Sequence, residues 1–251
     1  MISINSIREK RGLLHSLAPF SEGVRDLKRR SDLLDFAYSD LRLYGSILKK
    51  EGVRSILEGN TIPGVPAFEH RLCESHRKAL SRFNDKLDMK LEVDAVLLNE
   101  FCTILSGAEL PPYREGTALL YHLDFVPGDD DSITSGLAEM FAAIRRAQKN
   151  GVYGSGEDMD FCMKAADIHM GIVKIYPYKD SFSELAARAA MQYELVKAGY
   201  FPVDIGVSEP EYNRLVSESI KSKNTAGFAA LLQAAVLKKI HFLIDAVERG
   251  I

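Results

Sequence analysis

From Leu27 through Leu33, Leu34, Ala37, Leu41, Tyr44 and Leu48, apolar residues recur three and four positions apart. This is the stripe of an amphipathic helix. It predicts one helical stretch over residues 20–58, stopped at Glu58-Gly59-Asn60, with Pro63, Gly64 and Pro66 turning the next segment into a loop. A second helix is predicted over Ala67–Leu87. A third runs to Leu105 behind Asp94, whose short carboxylate suits an N-cap.

The pattern changes at Pro111-Pro112. β-favouring residues follow and Pro127-Gly128 closes the segment, so residues 111–128 read as a short β-hairpin or irregular flap. Asp129-Asp130-Asp131 then precede an apolar-periodic helix through Arg146, where they complement its dipole. They lack the central Gly and terminal Glu of an EF-hand calcium loop. Further helices are predicted at 158–175, 183–198, 208–222 and 226–248. The chain reads as mainly α, with no internal repeat or long linker.

Composition narrows the classes. The chain has 251 residues, 46% hydrophobic and 27% charged, with a formal net charge of −3. Those values suit a soluble globular protein and supply no field for nucleic acid or an anionic membrane. Lys28-Arg29-Arg30 reads as a solvated helix face. No nucleic-acid motif, signal segment or apolar run of membrane-spanning length is present, so a cytoplasmic protein is expected. Three scattered cysteines, Cys73, Cys102 and Cys162, suggest no disulfide framework.

Candidate chemistry concentrates in residues 167–203. A helix ends near Ile175, a loop passes through Pro177, and another helix starts near Ser183. Such a loop aims backbone N–H groups at an anion. Ser181-Phe182-Ser183-Glu184 also has the form of a capping box, in which Ser181 and Glu184 satisfy each other's backbone donors. His169 is expected to pack internally. His70, Cys73 and His76, at helical spacing on a helix expected to be exposed, have the residue types of a zinc site but no fourth ligand in the sequence.

The segment resembles the Fic family, whose signature is H-P-F-x-D-G-N-G-R-x-x-R. Tyr176 stands where the family has its catalytic histidine, Pro177 matches, and Tyr178 replaces the phenylalanine. Asp180 matches the acid that holds magnesium. Ser181-Phe182-Ser183 replace Gly-Asn-Gly, and Glu184 replaces the first arginine. Arg188 corresponds to the final arginine, one residue later than in the signature, and Lys197-Ala198-Gly199-Tyr200 follows as R-A-G-Y does. Leu57-Glu58-Gly59-Asn60-Thr61 is similar to the family's I-E-G-N-x-T element, which carries an inhibitory glutamate. Pro112-Tyr113-Arg114 and Phe125-Val126-Pro127 resemble pieces around the family's flap, and the segment from Tyr212 to Phe228 its C-terminal region.

The resemblance implies an all-α Fic-type fold with a short β-hairpin flap. Residues 1–65 would form an N-terminal helical extension with an inhibitory-like helix, and 66–251 the core. Glu58 would be regulatory and pair with Arg188, while Asp180 and Arg188 would be the nucleotide and magnesium positions. Tyr176 is a poor base, because a phenol of pKa about 10 stays protonated near neutral pH. Ser181-Phe182-Ser183 lacks the glycines that let a backbone approach phosphate, and Glu184 adds negative charge there.

Two readings follow. One is a pseudoenzyme that binds or regulates a protein, with a target lying along flap residues 112–127 and no cofactor. The other is a divergent transferase moving AMP, UMP, phosphocholine or phosphate onto a protein hydroxyl, with ATP and magnesium as its requirements. Neither reading involves nucleic acid or membrane, and both are compatible with a homodimer.

Overall fold

The computed structural model describes residues 4–156 and 159–251. Among them lie ten α-helices: α1 (Ile4–Ser16), α2 (Glu22–Leu43), α3 (Lys50–Leu57), α4 (Ala67–Asp88), α5 (Ala95–Ser106), α6 (Ile133–Lys149), α7 (Phe161–Ile175), α8 (Phe182–Lys197), α9 (Glu209–Ser222) and α10 (Ala226–Glu248). A short 3-10 turn, Asp130–Ser132, leads into α6. The start expected at residue 158 lies outside the described residues.

The all-α expectation holds, and three local readings change. First, the stretch over 20–58 is two helices. After Leu43 the chain forms a Schellman turn: Gly45 takes φ +88°, its N–H bonds to the Arg42 carbonyl, and the Ser46 N–H bonds to the Leu41 carbonyl. Second, α1 was not anticipated; Ile7 and Leu14 anchor it in the core, where it lies along α10. Third, no strand forms in 111–128 among the described residues. The segment is an irregular flap joined to the α7–α8 loop by one antiparallel bridge between Tyr113 and Tyr178.

α8 is the centre of the molecule. Every residue from Ser183 to Leu195 is buried, beneath α7 on one side and α5 on another. A helix that is covered all round has small residues where neighbours approach closest, and Ala186, Ala187, Ala189 and Ala190 are all fully buried. α10 is long and apolar enough to cross a membrane by length and composition, yet 56% of its apolar window is buried inside the fold. Phe228, Leu232, Val236, Ile240 and Leu243 pack inward, so its hydropathy is that of a core helix.

Candidate functional site

The α7–α8 loop is a closed, cross-linked turn. Tyr176 caps α7 in the left-handed conformation, at φ 52°, and Asp180 takes φ 51° four residues later. The Tyr176 ring is buried, and its hydroxyl donates to the Asp180 carbonyl at 2.9 Å. Burial, reinforced by the nearby Glu184 carboxylate, pushes the Tyr176 phenol above its usual range. Asp180 itself is exposed.

The expected capping box does not form. Ser181 makes no side-chain cap bond, and Glu184 turns elsewhere. Ser183 instead closes the loop: its hydroxyl accepts from the Tyr178 N–H at 2.7 Å and donates to the Tyr178 carbonyl at 2.8 Å. A serine whose oxygen lies across the loop is the competing use that sequence spacing hid.

The flap is fastened to this loop along its length. The Arg114 N–H bonds to the Pro177 carbonyl at 3.1 Å, and the Lys179 N–H to the Pro112 carbonyl at 2.9 Å. Arg114, itself buried, sends its guanidinium beneath the flap. Nε donates to the Tyr176 carbonyl at 2.7 Å, Nη1 to the Gly116 carbonyl, and Nη2 to the Gly128 carbonyl at 2.5 Å. Nη2 also reaches the Ile175 carbonyl at 3.3 Å, and the fork geometry of arginine is what lets one side chain tie four backbone oxygens. Tyr113 and Tyr178 both donate to the Asn99 carboxamide oxygen, at 2.7 and 2.6 Å. At the far end, Asp130 accepts from the Gly116 N–H at 2.7 Å, a bond that holds the Asp130 carboxyl below its usual range.

His122 supplies the last tie. Its Nε2 lies 2.6 Å from Oε1 of Glu184, in the first turn of α8. Glu184, which stands where the Fic signature has a phosphate-binding arginine, is almost fully buried under the flap.

Beneath the loop lies a buried polar chain through five helices. Arg188 Nε donates to Asp40 Oδ1 at 2.5 Å, and Asp40 Oδ2 meets His76 Nε2 at 2.7 Å. His76 Nδ1 faces the Leu72 carbonyl at 2.7 Å. On the other side, Arg188 Nη1 is 3.4 Å from the Tyr212 hydroxyl, which meets His169 Nε2 at 2.7 Å. Burial pushes the Asp40 carboxyl up, but Arg188 and His76 together outweigh it and hold the group below its usual value. Burial, with repulsion from Arg188, drives His169 down to about 3, so its imidazole is neutral. Its ring stacks on Phe228 at 4.9 Å, the internal role expected of it.

The structure thus brings Tyr176, Asp180 and Arg188 to one end of α8 and leaves Glu58 elsewhere. Arg188 takes its carboxylate from Asp40, so the expected Glu58–Arg188 bridge is absent. Glu58 is the exposed C-cap of α3 and makes no ion pair among the described residues. The helix carrying His70, Cys73 and His76 is not exposed along that face: Cys73 and His76 are fully buried. Burial, with a smaller push from Glu69, takes the Cys73 thiol up to about 12. Among the described residues no three His, Cys, Asp or Glu side chains converge as a metal site.

Sequence reading missed Asp40, His122 and Asn99; it named His76 only with His70 and Cys73 as a zinc-type set, and Tyr212 only as the start of a family-like segment. Asp40 was the detectable one. It falls among Phe36, Ala37 and Leu41 on the apolar side of α2, where a carboxylate needs a buried partner.

No protein-family model and no curated protein matches the sequence. Solved structures do. A Fic domain containing signalling protein from Bacteroides thetaiotaomicron superposes with TM-score 0.81 at 14% identity, over 97% of each chain. Fic-1, residues 134–508, from C. elegans gives 0.73 at 19% identity, over 96% of this chain and 71% of that one. A Fic family protein from Desulfovibrio desulfuricans gives 0.72 at 15%, over 98% and 76%. The chain has the Fic-type fold.

Proposed function

We propose that this chain is a binding or regulatory protein on a Fic-type fold, without AMP-transfer chemistry. One observation carries the reading: Glu184, which the resemblance sets at the position of a phosphate-binding arginine, is a buried carboxylate clamped by His122 from the flap. Removing a charge-assisted phosphate contact and putting a negative group in its place weakens nucleotide binding by about 2–4 kcal/mol. Tyr176 adds to this, because a buried phenol donating to a carbonyl is neither a base nor free to become one. These residues do not fit magnesium and a nucleotide triphosphate. The loop N–H groups of Tyr178 and Phe182 are already taken, by Ser183 Oγ and the Lys179 carbonyl.

The flap supplies the binding surface. Leu119, Tyr121 and Val126 are 67%, 92% and 69% exposed, on a segment whose backbone is fixed by Arg114. A segment held at Gly116 and Gly128, with apolar side chains projecting between, suits an extended protein segment laid along residues 112–127. A divergent transferase is favoured by one feature only: Arg188 Nη2 is buried without a hydrogen-bond partner. The test is calorimetry with magnesium and ATP, paired with labelled ATP and a cell lysate. Dissociation constants no tighter than about 1 mM and no labelling are expected. Micromolar binding, or labelling lost in Tyr176→Phe, would overturn the proposal.

A further inference from the structure

A cavity of about 850 Å3 lies between α2, α3 and α10, and none of its lining residues belongs to α7, α8 or their loop. That volume is within the range of roughly 300–1,000 Å3 typical of small-molecule sites. Leu27, Leu34, Leu57, Val203 and Ala235 give it an apolar lining.

The charges around it do not balance. Asp35 is already neutralised twice, by Lys50 at 2.5 Å and by buried Lys239 at 2.6 Å. Asp204 is paired with Arg42 at 2.6 Å. Arg77 is turned to Glu74 and to the Leu57 carbonyl. Arg30, Arg54 and Lys238 remain, one from each of the three helices, and none has an ion pair among the described residues. Glu58 and the terminal carboxylate of Ile251 are the lining carboxylates left without an ion pair among those residues, two against three cations. Solvated side chains at a helix junction would account for one such cation. Three from separate helices converging on one apolar-lined cavity make a surface complementary to an anion with an apolar body.

We propose that this cavity binds a single-chain amphiphile with a carboxylate or phosphate head. The head lies among Arg30, Arg54 and Lys238, and the chain lies on Leu27, Leu34 and Ala235. The site is separate from the flap and independent of the pseudoenzyme reading.

Calorimetry on the full chain tests it, with decanoate, decyl phosphate, decanol and inorganic phosphate as probes. Saturable one-to-one binding is expected for at least one of the two charged amphiphiles, and the tighter of them identifies the head. Decanol and inorganic phosphate should each bind at least about tenfold more weakly, since each lacks one half of the recognition. The exposed pair Arg54→Ala with Lys238→Ala should lower the affinity at least about tenfold while the far-ultraviolet dichroism is unchanged. Should that variant fail to fold, Arg30→Gln is read in the same way. Absence of saturable binding by both amphiphiles, decanol or phosphate binding as tightly, or unchanged affinity in the folded variant would each overturn the proposal.

Discussion

His122 Nε2 and Glu184 Oε1, 62 residues apart, meet at 2.6 Å and join the flap to the first turn of α8. The bond to Glu184 raises the His122 pKa against the opposing effect of burial, and Glu209 adds to the rise. A raised folded value means that the contact stabilises fully below the ordinary histidine range of about 6.5 and is lost as pH climbs through the folded value. Hydrogen exchange over residues 111–128, corrected for intrinsic rates, should therefore show weaker protection at pH 9 than at pH 6. His122→Ala should abolish the difference. Equal pH dependence in both proteins would show that another group controls the flap.

Asp40 lies between the buried side chains of Arg188 and His76, and Asp40→Asn removes its charge at nearly constant volume. Arg188, 1% exposed, would lose its carboxylate. Breaking a buried pair from one side costs about 3–5 kcal/mol, so the urea midpoint should fall accordingly. A loss under about 1 kcal/mol would mean that Tyr212 and solvent compensate.

His169 makes the fold acid-sensitive. With its pKa near 3 in the folded chain and about 6.5 when unfolded, its contribution is complete above pH 6.5. It declines by about 1.4 kcal/mol per pH unit as pH falls towards 3, because the unfolded chain takes up a proton that the folded chain refuses. Denaturation of the wild type and of His169→Phe at pH 7 and pH 4.5 should give a flatter response in the variant. Parallel curves would place the acid sensitivity on the carboxylates.

Helix positions were legible where local signals were unopposed. Asp94 caps α5 through the Leu97 N–H at 2.9 Å, as its position before an apolar run implied. The break between α2 and α3 was hidden because Leu48 continued the apolar spacing beyond a glycine that ends the helix. The capping box at Ser181 failed for a tertiary reason: Ser183 is engaged with Tyr178 and Glu184 with His122, partners set by how the loop and flap pack. The buried chain from His76 to His169 joins α4, α2, α8, α9 and α7, and pairings across such separations carry no local periodicity.

Arg188 finds its counter-charge on α2, and this bears on how the polypeptide can be divided. A fragment starting at residue 66 would retain α8 with a guanidinium in its middle and without the carboxylate that hydrogen-bonds it. His76 on α4 would lose the same carboxylate. The N-terminal helices thus supply a buried counter-charge to the segment from residue 66 onward. Truncation or domain exchange at that point would separate the Arg188–Asp40 ion pair across the cut, and the shortened product is expected to be less stable than the full chain.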